Sequence, residues 1–489
     1  MNRTISKSKY LAGLQCPKLL WHHFNRRDAF PPVDAATQAI FDAGHQVGDL
    51  AKRLYPDGVE VPMDFADLGR TAAATSALLP ARRPIFEASF LDDGVYCRAD
   101  ILVPADGDAW DLIEVKSGTG VKPQNLADVA FQARLAERAR VKLRRLHLMH
   151  IDASYVRRGA VDPAGLFHRA DVTDEARALQ AEVPAQIADM RGVIAGDCPD
   201  TPLGPHCKSP HPCDLWPMCS AHLPEHPVLE LYRARKEAVF ALIDRGVLAL
   251  TDAPADALNG KQLIQQRTVA SGRAHVEPGP LRAWLEGLAY PLHCLDFETV
   301  AAAVPLYDGT GPYQQVPFQF SLHVVESEGA APRHLAYLAE TAEDPRPGLI
   351  EALRGIGPTG TILAFNTVFE RGVLRELAAG FPGHAAFLDG LDDRFSDLLT
   401  PFRNFWYHHP QQRGSCSLKH VLPALTGRGY AGMAIADGNQ AMREFQRAVF
   451  GDVDAAEKRR VLEGLREYCE QDTQALLEVL GVLSALAPR

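Results

Sequence analysis

The sequence predicts an α/β protein with two catalytic-sized domains, on three observations. Strand-like apolar runs alternate with helical patterns in both halves of the 489 residues. A stretch rich in proline, histidine and cysteine, 198–227, separates the halves, and charged residues stand inside otherwise apolar strands. The expected organisation is a first domain over 1–225, a helical connector over 226–285 and a second domain over 286–489. At about 150 residues per domain, the length suits that division. Apolar residues make up 46% and charged residues 23%, which excludes bulk disorder, a collagen-like repeat and a small disulfide scaffold. The net charge of −10, taken alone, argues against a histone-like binder. Basic islands nevertheless occur at 1–27, which has six Lys and Arg and no acid, and at 134–158. No run of 18 apolar residues is present, and the first ten residues lack a signal-peptide core. No membrane partner and a cytoplasmic location are therefore expected, with the nine cysteines reduced or serving metals.

In the first domain, Tyr96–Pro104 and Ala109–Lys116 read as strands around the turn residues Ala105-Asp106-Gly107-Asp108. A hairpin closed there has facing residue numbers summing to about 213, so Asp100 meets Ile113 or Glu114, with facing Cβ atoms ~5 Å apart. Period-two alternation puts Glu114 and Lys116 on one face. Two converging carboxylates suit Mg²⁺ or Mn²⁺, and a lysine beside them can orient water or stabilise phosphate charge. The bland alternative is a surface hairpin with an ordinary Glu–Lys pair. Arg98-Ala99-Asp100 followed by Glu114-Val115-Lys116 resembles the PD-(D/E)XK nuclease core, in its RecB-like branch. The resemblance implies that His45, in Gly44-His45-Gln46-Val47-Gly48, is a further metal ligand and that Gln132 belongs to a Gln-x-x-x-Tyr motif. Ala136 stands where that motif has its tyrosine.

Cys207, Cys213 and Cys219 are spaced C-x5-C-x5-C in the proline-rich stretch, and Cys16 lies far upstream in Gln15-Cys16-Pro17-Lys18-Leu19-Leu20-Trp21. Four thiolates can hold tetrahedral zinc or an iron–sulfur cluster, and spacing alone does not choose. The Cys-Pro-Lys-x-x-Trp start with a closing cysteine trio resembles iron–sulfur RecB-like exonucleases, including the CRISPR-adaptation nuclease family. That resemblance implies a 4Fe-4S cluster on Cys16, Cys207, Cys213 and Cys219, with Cys198 as the substitute ligand.

The second domain opens on a strand, Pro291–Phe297, continued by Glu298, in which Asp296 and Glu298 share a face. Strands are also expected at Phe318–Val325 and Thr361–Phe365, and a long helix at Ala455–Leu486. Its apolar stripe Val461, Leu465, Tyr468, Leu476, Val479 and Leu483 turns Asp472 inward, where a carboxylate needs a cation or a partner. Asp-x-Glu at 296–298, Ile362–Glu370 and Tyr-x-x-x-Asp at 468–472 resemble the three motifs of DEDD-type 3′–5′ exonucleases of the ribonuclease H-like fold. The second motif usually ends in Asp, and here it ends in Glu370. The resemblance implies that Asp296, Glu298, Glu370 and Asp472 hold two metal ions and that Tyr468 orients the attacking water. Asp397 is a reserve ligand or a cap. Ser417-Leu418-Lys419 matches a phosphate-contacting helix start. Phe402, Phe405, Trp406 and Tyr407 can stack on bases or pack in the core.

Taken together, the motifs resemble a bacterial family joining an iron–sulfur RecB-like nuclease to a ribonuclease H-like exonuclease. The implied function is a metal-dependent nuclease with two active sites, Lys116 and Gln132 assisting the first, acting on DNA ahead of RNA. The alternatives are a nucleic-acid-binding or defence-associated scaffold with one degenerate site, and a zinc-stapled metabolic enzyme.

Overall fold

The computed structural model describes residues 3–488, and the chain is mixed α/β with mixed sheets. It divides into two compact units, one of residues 1–221 with 302–313, the other of 222–301 with 314–489. The stretch expected to be a connector is thus part of the second unit. It contains a capped helix at Gly260–Ser271, where Asn259 and Gln262 form a capping box. No helix among the described residues is long and apolar enough to cross a membrane.

The first unit is built on a seven-stranded sheet. Its strands are β1 (Ile5–Ser6), β2 (Val59–Glu60), β3 (Ile85–Asp92), β4 (Val95–Pro104), β5 (Trp110–Lys116), β6 (Leu143–Ile151) and β7 (Phe167–Asp171). Five helices matter for the site: α1 (Lys7–Gln15), α2 (Pro17–Asn25), α3 (Ala35–Lys52), α4 (Leu68–Leu78) and α5 (Pro123–Arg138). The hairpin forms where turn chemistry and alternation place it, with Ile101 opposite Ile113, a register sum one above the expected value. β5 lies between antiparallel β4 and parallel β6, and being covered on both faces it is apolar except at its chemical positions. One core holds Leu112, Val129, Phe131 and Leu148, with Tyr10 stacked on Phe131 at 4.3 Å. The other gathers Ala51, Ile101, Ile113 and Met149.

Strict alternation fails in β4. Val95, Cys97, Ala99 and Leu102 join one core while Ile101 joins the other, so the strand kinks next to Asp100. Glu87, across the β3–β4 ladder at that level, has φ +56°, a left-handed backbone uncommon outside glycine. Residues 302–313 complete this unit. Ala303 and Val304 pack with Val47, Leu50 and Ile151, and the Arg157 guanidinium donates to the carbonyls of Pro305 and Leu306.

The second unit carries a five-stranded sheet in the order β11-β10-β9-β12-β13, together with the short pair β8 (His275–Val276) and β14 (Tyr407–His408). The five strands are β9 (Leu292–Val300), β10 (Val316–Val325), β11 (Arg333–Leu338), β12 (Thr361–Ala364) and β13 (Phe395–Asp397). β9 is central, antiparallel to β10 and parallel to β12. Its odd residues Leu295 and Phe297 enter a core with Phe320, Ile350 and Leu374. Its even residues face the helix Ala455–Leu486, which Asp454 caps by accepting from the amides of Ala456 and Glu457.

Candidate functional site

On the even face of β9, Asp296 and Glu298 meet Asp472 of the C-terminal helix. One carboxylate oxygen from each lies within 4.8 Å of the other two. The helix brings Asp472 there because Leu465, Tyr468, Leu476 and Val479 are buried along the same stripe. Three carboxylates this close repel one another and have lost water. Burial, then Asp472 and Glu298, holds the Asp296 carboxyl well above the usual range. Burial and Asp472 push Glu298 up to about 8. Asp472 reaches only about 6, because burial is opposed by hydrogen bonds from Tyr430 and Tyr468 and by Lys419.

Glu370 is brought near by the first turn of the helix Val368–Gly380 but stands outside that close triad. It is buried with Oε2 unpartnered, and burial followed by Asp397 pushes it up to about 8. Asp397 works as a backbone cap, its Oδ1 accepting from the amides of Asn366 (2.9 Å) and Leu399 (3.0 Å). Tyr468, expected to orient water, hydrogen-bonds to Asp472 and lines the cavity beside it.

The triad opens onto a cavity of about 640 Å³, lined among others by Arg233, Phe365, Arg403, Ser417, Lys419 and Tyr430. Lys419 Nζ donates to the Ala436 carbonyl at 2.7 Å and lies 5.7 Å from the ring centroids of both Tyr430 and Tyr468. Phe402 and Phe405 are fully buried, and Phe405 stacks on His408. Of the two readings left open for this run, core packing holds for Phe402, Phe405 and Tyr407, while Trp406 is half-buried. The aromatic surface of the cavity comes from Tyr232, Phe365, Tyr430 and Tyr468. Tyr430 was missed because it sits in a loop without periodicity.

An expected result follows for pH. An acid whose folded pKa is raised binds its proton more tightly in the native state, so stability falls as pH rises through the window between the unfolded and folded values. For Glu298 and Glu370 that window runs from about 4.3 to about 8. Thermal melts in EDTA should show the second unit losing stability from pH 5 to 8.5, and divalent cation should flatten the trend. A flat profile in EDTA would refute it.

The first unit has a different electrostatic character. Asp100 Oδ2 accepts from the Val115 amide at 2.7 Å where β5 leaves the ladder. Glu114 is buried. Its Oε1 accepts from Lys7 (2.8 Å) and Lys116 (2.5 Å), and its Oε2 from Gln132 (2.7 Å). Asp128 accepts from Lys116 and Gln132, both at 2.8 Å. Burial alone would raise Glu114, but Lys7 and Lys116 outweigh it and hold the carboxyl well below the usual range. Burial and the Glu114 charge push Asp100 up to about 7.

Lys7 and Asp128 were not anticipated. Lys7 was legible only as one of the basic residues of 1–27, whereas Asp128 stands four residues before Gln132 on the same helix face and could have been found by that spacing. His45 is exposed on α3. Among the described residues His45 belongs to no close group of three ligand atoms with Asp100 or Glu114.

Cys16, Cys207, Cys213 and Cys219 line one small cavity together with Lys18 and Trp216. Cys16 sits at the junction of α1 and α2, as the N-cap residue of α2. Burial, followed by the other three thiols, pushes Cys213 up to about 11. No three cysteine sulfurs among the described residues lie within 4.8 Å of one another. Cys198 is exposed, with its sulfur 3.9 Å from His22 Nε2, and does not line the cavity.

Residues 293–417 match a family model described as a domain of unknown function (DUF2779). That stretch includes Asp296, Glu298, Glu370 and Asp397 and ends before Asp472. No curated protein matches the chain, and no solved structure does.

Proposed function

We propose that the protein is a divalent-metal-dependent nuclease whose principal site is the carboxylate triad of the second unit. The observation that carries this reading is three mutually close, largely buried carboxylates, two of which, Asp296 and Asp472, line a cavity that also bears Arg233, Arg403 and Lys419. Buried acids without a matching cation are costly, and an all-oxygen donor set suits Mg²⁺ or Mn²⁺. Asp296, Glu298 and Asp472 would hold the cation, with Glu370 as the reserve carboxylate. The bound ion supplies a Lewis acid and lowers the pKa of a water. Tyr430 and Tyr468 fix Asp472 by hydrogen bonds, and the arginines with Lys419 neutralise a phosphodiester backbone. The resemblance of 296–298 and 468–472 to DEDD exonuclease motifs supports the ribonuclease H-like fold for this unit and a 3′–5′ polarity, with DNA ahead of RNA. Purified protein with Mn²⁺ or Mg²⁺ should shorten end-labelled DNA from the 3′ end. Absence of any cleavage of single- or double-stranded DNA or RNA would overturn the proposal.

The four thiols support a 4Fe-4S cluster. Tetrahedral zinc with Zn–S bonds of about 2.3 Å needs sulfurs about 3.8 Å apart, closer than any three of these stand to one another. A brown protein absorbing near ~400 nm is the expected signature.

For the first unit, the hairpin supports a PD-(D/E)XK fold, but one observation favours a second reading of its site. Lys7 and Lys116 already neutralise Glu114 and Asp128, which suits a nucleic-acid-binding scaffold with a degenerate site as well as a nuclease that admits metal by displacing Lys7. Lys116→Ala decides between them. Loss of a cleavage activity that survives Asp472→Asn identifies a working nuclease.

A further inference from the structure

On the helix-covered face of the second sheet, two histidines play no part in the proposed chemistry. His323 of β10 and His334 of β11 face each other across the antiparallel ladder, with ring centroids 4.6 Å apart and planes inclined by 28°. Glu470 of the C-terminal helix completes a trio, its Oε1 3.7 Å from His334 Nδ1. One ring nitrogen of each histidine and one carboxylate oxygen lie within 4.8 Å of one another.

Hydrogen-bond counting fixes which nitrogen of each ring donates. His323 Nδ1 is 2.9 Å from Thr473 Oγ1, His334 Nε2 is 2.9 Å from Ser321 Oγ, and the two hydroxyls are 2.7 Å apart. Thr473 donates its only hydroxyl proton to the Glu470 carbonyl at 3.1 Å. It must therefore accept from both Ser321 and His323. Ser321, having donated to Thr473, must accept from His334. Every contact is satisfied when the neutral rings carry their protons on Nδ1 of His323 and Nε2 of His334. The free lone pairs are then Nε2 of His323 and Nδ1 of His334, and the latter is the atom that faces Glu470. Anchoring one ring nitrogen so that the other presents a lone pair is how proteins prepare histidine for metal.

We propose that His323, His334 and Glu470 form a binding site for a divalent transition metal of the zinc class, separate from the carboxylate triad. Two imidazoles and a carboxylate suit Zn²⁺ or Co²⁺ rather than Mg²⁺. His334 and Glu470 are exposed while His323 is buried, so the fourth position opens to water and the ion has a way in. Bound metal would tie β10 and β11 to the helix that carries Tyr468 and Asp472.

The test is a Co²⁺ titration of the full chain followed by visible absorption. Wild type should take up one equivalent with the d–d bands of a low-coordinate nitrogen–oxygen centre, and excess Zn²⁺ should abolish them. Thiolate-bound cobalt is told apart by its near-ultraviolet sulfur charge-transfer bands. His334→Ala, a change at an exposed residue, should lose the visible bands and retain the wild-type circular dichroism. Glu470→Gln should weaken Co²⁺ binding at least about tenfold. Asp472→Asn should keep the bands, which separates this site from the nuclease reading. Absence of visible bands in wild type, or coinciding titrations of wild type and His334→Ala or Glu470→Gln, would overturn the assignment.

Discussion

Asp472→Asn is expected to lower metal-dependent cleavage by roughly a thousandfold and at the same time to raise the melting temperature of the metal-free protein. Both effects come from one geometry. With Asp296 and Glu298 close by and, among the described residues, no ion pair to the triad beyond the more distant charge of Lys419, the third carboxylate is a net electrostatic cost in the absence of cation. An amide of the same shape removes the repulsion. It also keeps a carbonyl oxygen that can accept from Tyr430, the present donor to Asp472 Oδ1. Relief of about 1–2 kcal/mol corresponds to a few degrees, at ~2–4 °C per kcal/mol for a unit of this size. Scanning calorimetry in EDTA should therefore place the mutant above wild type. Added Mn²⁺ should reverse the order, since only wild type keeps a complete ligand set and gains stability by binding. A mutant less stable than wild type in EDTA would mean that Asp472 is a structural hydrogen-bond acceptor and not an unneutralised ligand.

Such a conflict between stability and local chemistry is also what made parts of the site readable in the sequence. Asp296 and Glu298 stand out because a central strand buried on both sides has no other use for two acids, and Asp472 stands out against an apolar helical stripe. The hairpin register was legible because Ala105–Asp108 is a turn and its flanking strands alternate. The kink near Asp100 was not, since it depends on the neighbouring strand and the left-handed backbone of Glu87. Lys7 could not be paired with Glu114 from sequence, because 107 residues separate them and only β1 joining β4 brings α1 to the site. The His323–His334 pair is likewise a product of strand register. The aromatic run 402–407 left two readings open for the opposite reason: composition gives no sign of which rings the core consumes.

Lys7→Met should loosen the first unit and make it more responsive to metal. The substitution keeps a stem of similar length and removes the ammonium 2.8 Å from Glu114, which leaves a fully buried carboxylate with Lys116 as its only ion-pair partner among the described residues. Removing one member of a buried ion pair costs ~3–5 kcal/mol, and since the Lys7 side chain is 27% exposed a loss of about 2 kcal/mol is expected. The sign is unambiguous at neutral pH. The Glu114 and Asp128 charges outweigh burial and hold the Lys7 ammonium well above its ordinary range, so its contribution is in full force below that range and is lost only at strongly alkaline pH. The Val115 amide, held by Asp100, reports the change directly. Hydrogen exchange along β5 should quicken in the mutant, by roughly thirtyfold for 2 kcal/mol in the equilibrium regime. If Asp100, Glu114 and Asp128 are ligands-in-waiting, Mn²⁺ should restore protection in Lys7→Met at lower concentration than it affects wild type, because the ion no longer competes with an ammonium. If Mn²⁺ restores nothing, Lys7 and Lys116 are the permanent counter-ions of a closed network, and the cleavage chemistry belongs to the second unit alone.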